Sequence, residues 1–188
     1  MKSQLLKQLV AVFLITLALL SIYFGSYLPV VKAQRYISFM QFMPNVKTYE
    51  EFLARSKDVL DFHSPVGQEE AVRYLGRDIV GMSRNPDQQE NISRGLIELI
   101  EERTQMKNVR HLLTMSDGYS ILWNKYRREE DFLKSEFYYL SILKIGPNLP
   151  PALYSLFDLY RAHGDKEKAN QIKERILKLW PTEKRLTQ

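Results

Sequence analysis

The 188-residue chain carries 27 lysine and arginine side chains against 22 aspartates and glutamates, and no cysteine, which excludes a disulfide framework and a thiolate metal site. Its length has room for one ordinary domain and an appendage. The net charge of +5 does not point to nucleic acid, because Lys2, Lys7, Lys32 and Arg35 supply four of the cations and residues 36–188 hold 23 basic against 22 acidic groups. No basic footprint remains.

The appendage comes first. Leu9 to Val31 reads LVAVFLITLALLSIYFGSYLPVV, a run free of charge and long enough at 1.5 Å per residue to cross a hydrocarbon core with some tilt. Two readings stand side by side. Val31-Lys32-Ala33 resembles the small-x-small pattern of a cleaved signal peptide, whereas the run exceeds the roughly 7–15 apolar residues of a signal sequence and favours an uncleaved single-pass anchor over residues 1–35. Lys2 and Lys7 on one side nearly balance Lys32 and Arg35 on the other. A short basic tail ahead of a first apolar segment puts the N-terminus inside and the bulk of the chain outside the cytoplasm. The helix is expected to run on through KAQRYISFMQF until Pro44 stops it.

Residues 36–115 read as divergent helical hairpins. Thr48 and Glu51 have capping-box spacing, and Phe52, Leu53, Val59 and Leu60 supply an apolar stripe behind them. After the Ser64-Pro65-Val66-Gly67 break, a second helix is predicted over about 68–82, burying Ala71, Val72, Leu75 and Ile79. Asn85-Pro86-Asp87-Gln88 has the composition of a third helix start, with Ile92, Leu96, Leu99 and Ile100 buried and an end near Met106. No alternating strand pattern occurs in the soluble part.

The C-terminal third repeats itself. Shifted by thirty-four residues, Tyr119 falls on Leu153, Leu122 on Leu156, Trp123 on Phe157, Tyr126 on Tyr160, Ser135 on Ala169, Ile142 on Ile176 and Pro147 on Pro181. Leu153, Leu156, Phe157 and Tyr160 have the spacing of one buried helix face, and Ala169, Ile172, Ile176 and Leu179 that of a second. Gly164-Asp165 between them offers a left-handed exit and a side-chain cap. On these residues the stretch resembles the tetratricopeptide repeat (TPR), a helix–turn–helix unit of thirty-four residues. Trp123 and Phe157 stand where that family has a small residue, and Lys173 where it has an aromatic one.

The resemblance implies two TPR-like repeats, 116–149 and 150–183, followed by a tail. The fold class is therefore all-α, a short TPR-like α-solenoid preceded by one transmembrane helix. Repeats need neighbours to cover their apolar sides, and the divergent helices supply them. Taken whole, the arrangement of a membrane helix, TYEEFLARSKDVLDFHSPVGQEEAVRYL, a Pro-initiated helix and closing repeats is similar to the C-terminal tail of some bacterial O-antigen ligase-like membrane proteins. That similarity implies an accessory or detached segment in surface-polysaccharide assembly. The family's many membrane helices and large external loop have no counterpart here, so no catalytic residue carries over.

Chemistry finds little to build on. His63, His111 and His163 lie far apart without metal-ligand spacing, and neither G-x-G-x-x-G nor G-x-x-x-x-G-K occurs. Ser64, Ser116 and Ser135 lack a nucleophile-elbow context. Glu101-Glu102 and Glu129-Glu130-Asp131 stand beside arginines, as solvated mixed-charge faces do; the basic residues of 161–185 read the same way. Tyr138, Tyr139 and Ile142 share a helix face and are expected to pack between hairpins. No catalytic residue, cofactor or metal is expected. The predicted role is a membrane-anchored protein-interaction scaffold, with a polar groove lined by Asn124, Lys125 and Arg128 from one first helix and Ser155, Asp158 and Arg161 from the next. These positions assume that first helices face the concave side, as the resemblance implies.

Overall fold

Pro29 explains the first irregularity of the backbone. It lacks an N–H, and in a regular α-helix its ring would meet the carbonyl four residues earlier. In the computed structural model, which describes residues 2–46 and 48–183, α1 (Lys2–Ile22) therefore widens into a π turn (Tyr23–Tyr27) before α2 (Leu28–Phe42). The Leu28 N–H reaches Tyr23 O, five residues back. The helix is otherwise unbroken from Gln4 to Phe42, long and apolar enough to cross a membrane. From Gln4 to Tyr27 its side chains are exposed on all sides: Leu9, Phe13 and Leu19 each keep 60–65% of their surface. A 3₁₀ turn, Met43–Asn45, ends it beside the proline expected to do so.

The described residues are all helical, without a strand, and fall into two compact units, one through Ala71 and one from Val72. The boundary lies inside α4 (Gln68–Ser83). In the first unit α2 packs on α3 (Tyr49–Asp61), whose start is capped as predicted by Thr48 Oγ1, which accepts from the Glu51 N–H at 3.1 Å. Phe39 meets Phe52 edge-on at 5.6 Å.

The cations after the apolar run are not loose flanking charges. Lys32 is 2% exposed, and its ammonium donates to Val59 O at 3.1 Å, Phe62 O at 2.7 Å and Gln68 Oε1. It thereby satisfies carbonyls at the end of α3 that no helical N–H can reach. Arg35 pairs with Asp58 and lies over the Phe62 ring.

In the second unit the expected Val72, Leu75 and Ile79 of α4 are buried. The third helix differs from its predicted limits. α5 spans Glu90–Glu101, because Asn85 Oδ1 accepts from the Asp87 N–H at 3.1 Å and closes an Asx turn in place of a helix cap. At the other end Arg103 and Thr104 N–H groups bond to Ile100 and Glu101 carbonyls in tight turns, stopping the helix five residues before Met106. Leu96, Ile97, Leu99 and Ile100 are buried, whereas Ile92 is half-exposed.

Two antiparallel hairpins follow: α6 (Val109–Tyr126) with α7 (Glu129–Ile145), and α8 (Pro150–His163) with α9 (Lys166–Leu179). α5 packs on α6, α6 on α7, α7 on α8 and α8 on α9. The second turn matches its prediction: Gly164 has φ 93°, and Asp165 Oδ1 accepts from the Lys168 N–H at 3.0 Å. The first turn departs from the thirty-four-residue register. Arg127 takes the left-handed conformation at φ 57°, three positions before the residue aligned with Gly164, and α6 begins seven residues ahead of the predicted boundary at 116. Register survives in the core even so. Tyr119 and Leu153, Leu122 and Leu156, Trp123 and Phe157, Ser135 and Ala169, and Ile142 and Ile176 are all buried. Ser135 shows why its position is small, since its hydroxyl donates directly to Ser116 O on α6 at 2.9 Å.

At Gly118 the missing side chain leaves room on α6 for Ile97 of α5. A Cβ there would lie 2.8 Å from Ile97 Cδ1 and 3.5 Å from Val80 Cγ2, in a region where Ile97 is fully buried. Gly118→Ala is expected to lose about 1–3 kcal/mol by overpacking, despite the better helix propensity of alanine. A urea titration giving an unchanged or raised midpoint would contradict this.

Candidate functional site

α6 and α8 each turn a stripe of one-turn-spaced residues toward a shared groove of about 400 Å³. Asp117, Ser120, Ile121 and Asn124 line it from α6, and Ser155, Asp158, Leu159 and Ala162 from α8. Both sets have i, i+3, i+4, i+7 spacing, which places each on one helix face. Tyr139 of α7, 2% exposed, contributes the floor. Its hydroxyl donates to Asp117 Oδ1 at 2.7 Å, fixing the carboxylate at the bottom of the groove. Arg84, just after α4, stands at the rim, and a second cleft of about 270 Å³ shares Arg84 and Asp117.

Burial pushes the Asp117 carboxyl above its ordinary range, and neither the Tyr139 hydroxyl nor the nearby Arg84 charge cancels the effect. Tyr139 is raised as well, first by burial and then by the Asp117 charge. The bond acts in opposite directions on its two ends: it favours the ionised Asp117 carboxylate and keeps the Tyr139 hydroxyl protonated.

The structure sorts the six predicted lining residues into two groups. Asn124, Ser155 and Asp158 meet in the groove. Lys125, Arg128 and Arg161 do not line it. The Lys125 ammonium donates to Ser83 O at 3.2 Å and Asn85 O at 2.6 Å, Arg128 pairs with Glu90 at 2.6 Å, and Arg161 lies over the Phe157 ring. Arg128 lies beyond the end of α6, as the N-cap of α7, and long-range acceptors hold both it and Lys125 away from the groove. Asp117, Ser120 and Tyr139 were absent from the sequence-level set. The α6 spacing running back from Asn124 to Asp117 was the available signal.

The acidic runs correct an expectation at two positions, while Glu102, Glu129 and Glu130 are exposed as expected. Asp131 is fully buried and takes both Arg94 terminal nitrogens, at 2.7 and 2.9 Å. Glu101 accepts from the Tyr119 and Tyr138 hydroxyls at 2.5 and 2.8 Å and from Lys134. Neither carboxylate belongs to a solvated face; each joins α5 to α7. In the basic tail, Lys168 pairs most closely with Glu136 of α7, at 2.8 Å. Tyr138 and Tyr139 are buried as predicted, each with its hydroxyl on a carboxylate.

The histidines stay apart. His63 is exposed, His111 is buried with Nδ1 accepting from the Gln105 N–H, and His163 stacks on Phe132 at 3.8 Å. Among the described residues no group of three His, Cys, Asp or Glu could hold a metal ion. No protein-family model, curated protein or solved structure matches the chain.

Proposed function

We propose that the chain is a single-pass membrane-anchored scaffold whose TPR-like hairpins form a short solenoid and hold a protein segment in the α6–α8 groove, without catalytic activity of its own. The observation that carries this reading is the convergence of equivalent stripes: Ile121 and Asn124 lie thirty-four residues before Ser155 and Asp158, and all four line one groove. A polar groove floored by a hydrogen-bonded Tyr suits a partner's extended backbone, which needs donors and acceptors along its length. The exposed apolar helix supplies the other half of the reading. Confining both partners to one membrane raises their effective concentration and makes a weak groove sufficient. On this reading the soluble part lies outside the cytoplasm, and a topology reporter fused after Gln188 reads the side directly.

Photo-crosslinking of the full chain in its own membranes tests the proposal. A crosslinker at Asn124 or Ser155 is expected to capture one defined polypeptide, while the same group at Lys144, exposed on α7, does not. Equal capture from Lys144, or none from the groove, would overturn it. Capture of a multi-span polysaccharide ligase or polymerase would instead support the accessory-segment role implied by the O-antigen ligase-like resemblance.

A further inference from the structure

The charge pattern of this groove, taken together with the interaction reading on which the inference rests, identifies what kind of side chain it admits. We propose that a lysine of the bound protein segment enters between Asp117 and Asp158, its methylene stem lying along Ile121 and Leu159.

Two carboxylates approach the groove from different helices, Asp117 from α6 and Asp158 from α8, and among the described residues lining it Arg84 is the sole cation. Asp117 is held in position by the Tyr139 hydroxyl. An ionised carboxylate has about four acceptor positions, so this bond leaves acceptor capacity on it. An ammonium group has three donors and no acceptor. Carboxylates from both helices, with Ser120 and Ser155 lining the same groove, match that inventory, and Ile121 and Leu159 suit a long aliphatic stem with a charged head. An anionic side chain would face both carboxylates, and an apolar one would displace water from Asp117 without supplying a donor. Burial disfavours the Asp117 charge despite the Tyr139 bond and the nearby Arg84, and a further cation beside it would favour the ionised form.

The test uses the full chain in nanodiscs of uncharged lipid and three fluorescent Gly-Ser peptides of equal length, carrying lysine, norleucine or glutamate at the same positions. Anisotropy is expected to show the lysine peptide binding about tenfold tighter than the norleucine one, the scale of one charge-assisted hydrogen bond, and the glutamate peptide weakest. The nearly isosteric pair Asp117→Asn and Asp158→Asn should erase the lysine preference with thermal unfolding still cooperative. Glu102→Gln, on an exposed side chain away from the groove, should retain it. Equal binding of lysine and norleucine peptides, or an undiminished preference in the Asn pair, would overturn the proposal. Groove-specific crosslinking together with such a result would leave the interaction reading standing and remove only its charge selectivity.

Discussion

Arg94→Met is expected to destabilise the helical unit by about 3–5 kcal/mol, the loss typical of stranding a buried charge by removing its partner. Asp131 has no exposed surface, and both its oxygens are held by Arg94. Methionine matches the arginine stem in bulk but offers no donor. The position of Asp131 in the first turn of α7 provides some favourable helix-dipole field, which is too weak to replace a bidentate guanidinium. Urea unfolding of the full chain in detergent should show a lowered midpoint with little change in slope. Adding Asp131→Leu to the Arg94→Met chain should recover much of the loss, because an apolar pair is free of the buried charge. A single-variant loss below about 1 kcal/mol would mean that water reaches Asp131 after all.

Glu101→Ala is the second large effect, expected at about 2–4 kcal/mol from the loss of hydrogen bonds to a charged acceptor. Tyr119 is 1% exposed, so its hydroxyl would lose its carboxylate acceptor deep between helices. The same site gives the protein an acid limb of definite sign. Burial raises the Glu101 carboxyl, but the Tyr119, Lys134 and Tyr138 bonds outweigh burial and leave it below its ordinary value of 4.5. Because the folded state prefers the ionised form, the contribution is complete above pH 4.5 and is lost as pH falls through the depressed folded value. Stability measured from about pH 6 down to pH 3 should fall less steeply in Glu101→Gln than in the parent. Parallel curves would show that other carboxylates carry the acid sensitivity.

These two carboxylates also show where reading along the chain reaches its limit. Glu101 and Asp131 each stand next to charged neighbours in sequence, and that local view gave them to solvent. Their partners Tyr138 and Arg94 are 37 residues away. Charge patterning cannot detect a donor that arrives only when α5 packs near α7. The same limit divided the predicted groove: Asn124, Ser155 and Asp158, placed there on the assumption that first helices face the concave side, line one groove, whereas Lys125 and Arg128 were captured by α4–α5 loop and α5 acceptors.

Sequence by itself determined the all-helical class, the exposed apolar N-terminal helix, the caps at Thr48 and Asp165, the left-handed Gly164 and most buried faces. These follow from near-neighbour physics: periodicity, the missing N–H of proline, the freedom of glycine and the reach of a short side chain to its own backbone. Tertiary structure alone decided the fate of Lys32, whose cation became the cap of α3, the displaced turn at Arg127, and the depth at which Asp117, Asp131 and Glu101 lie. For Lys32 and the carboxylates the outcome depends on groups brought from elsewhere in the chain, because desolvation and the supply of donors change over a few ångströms.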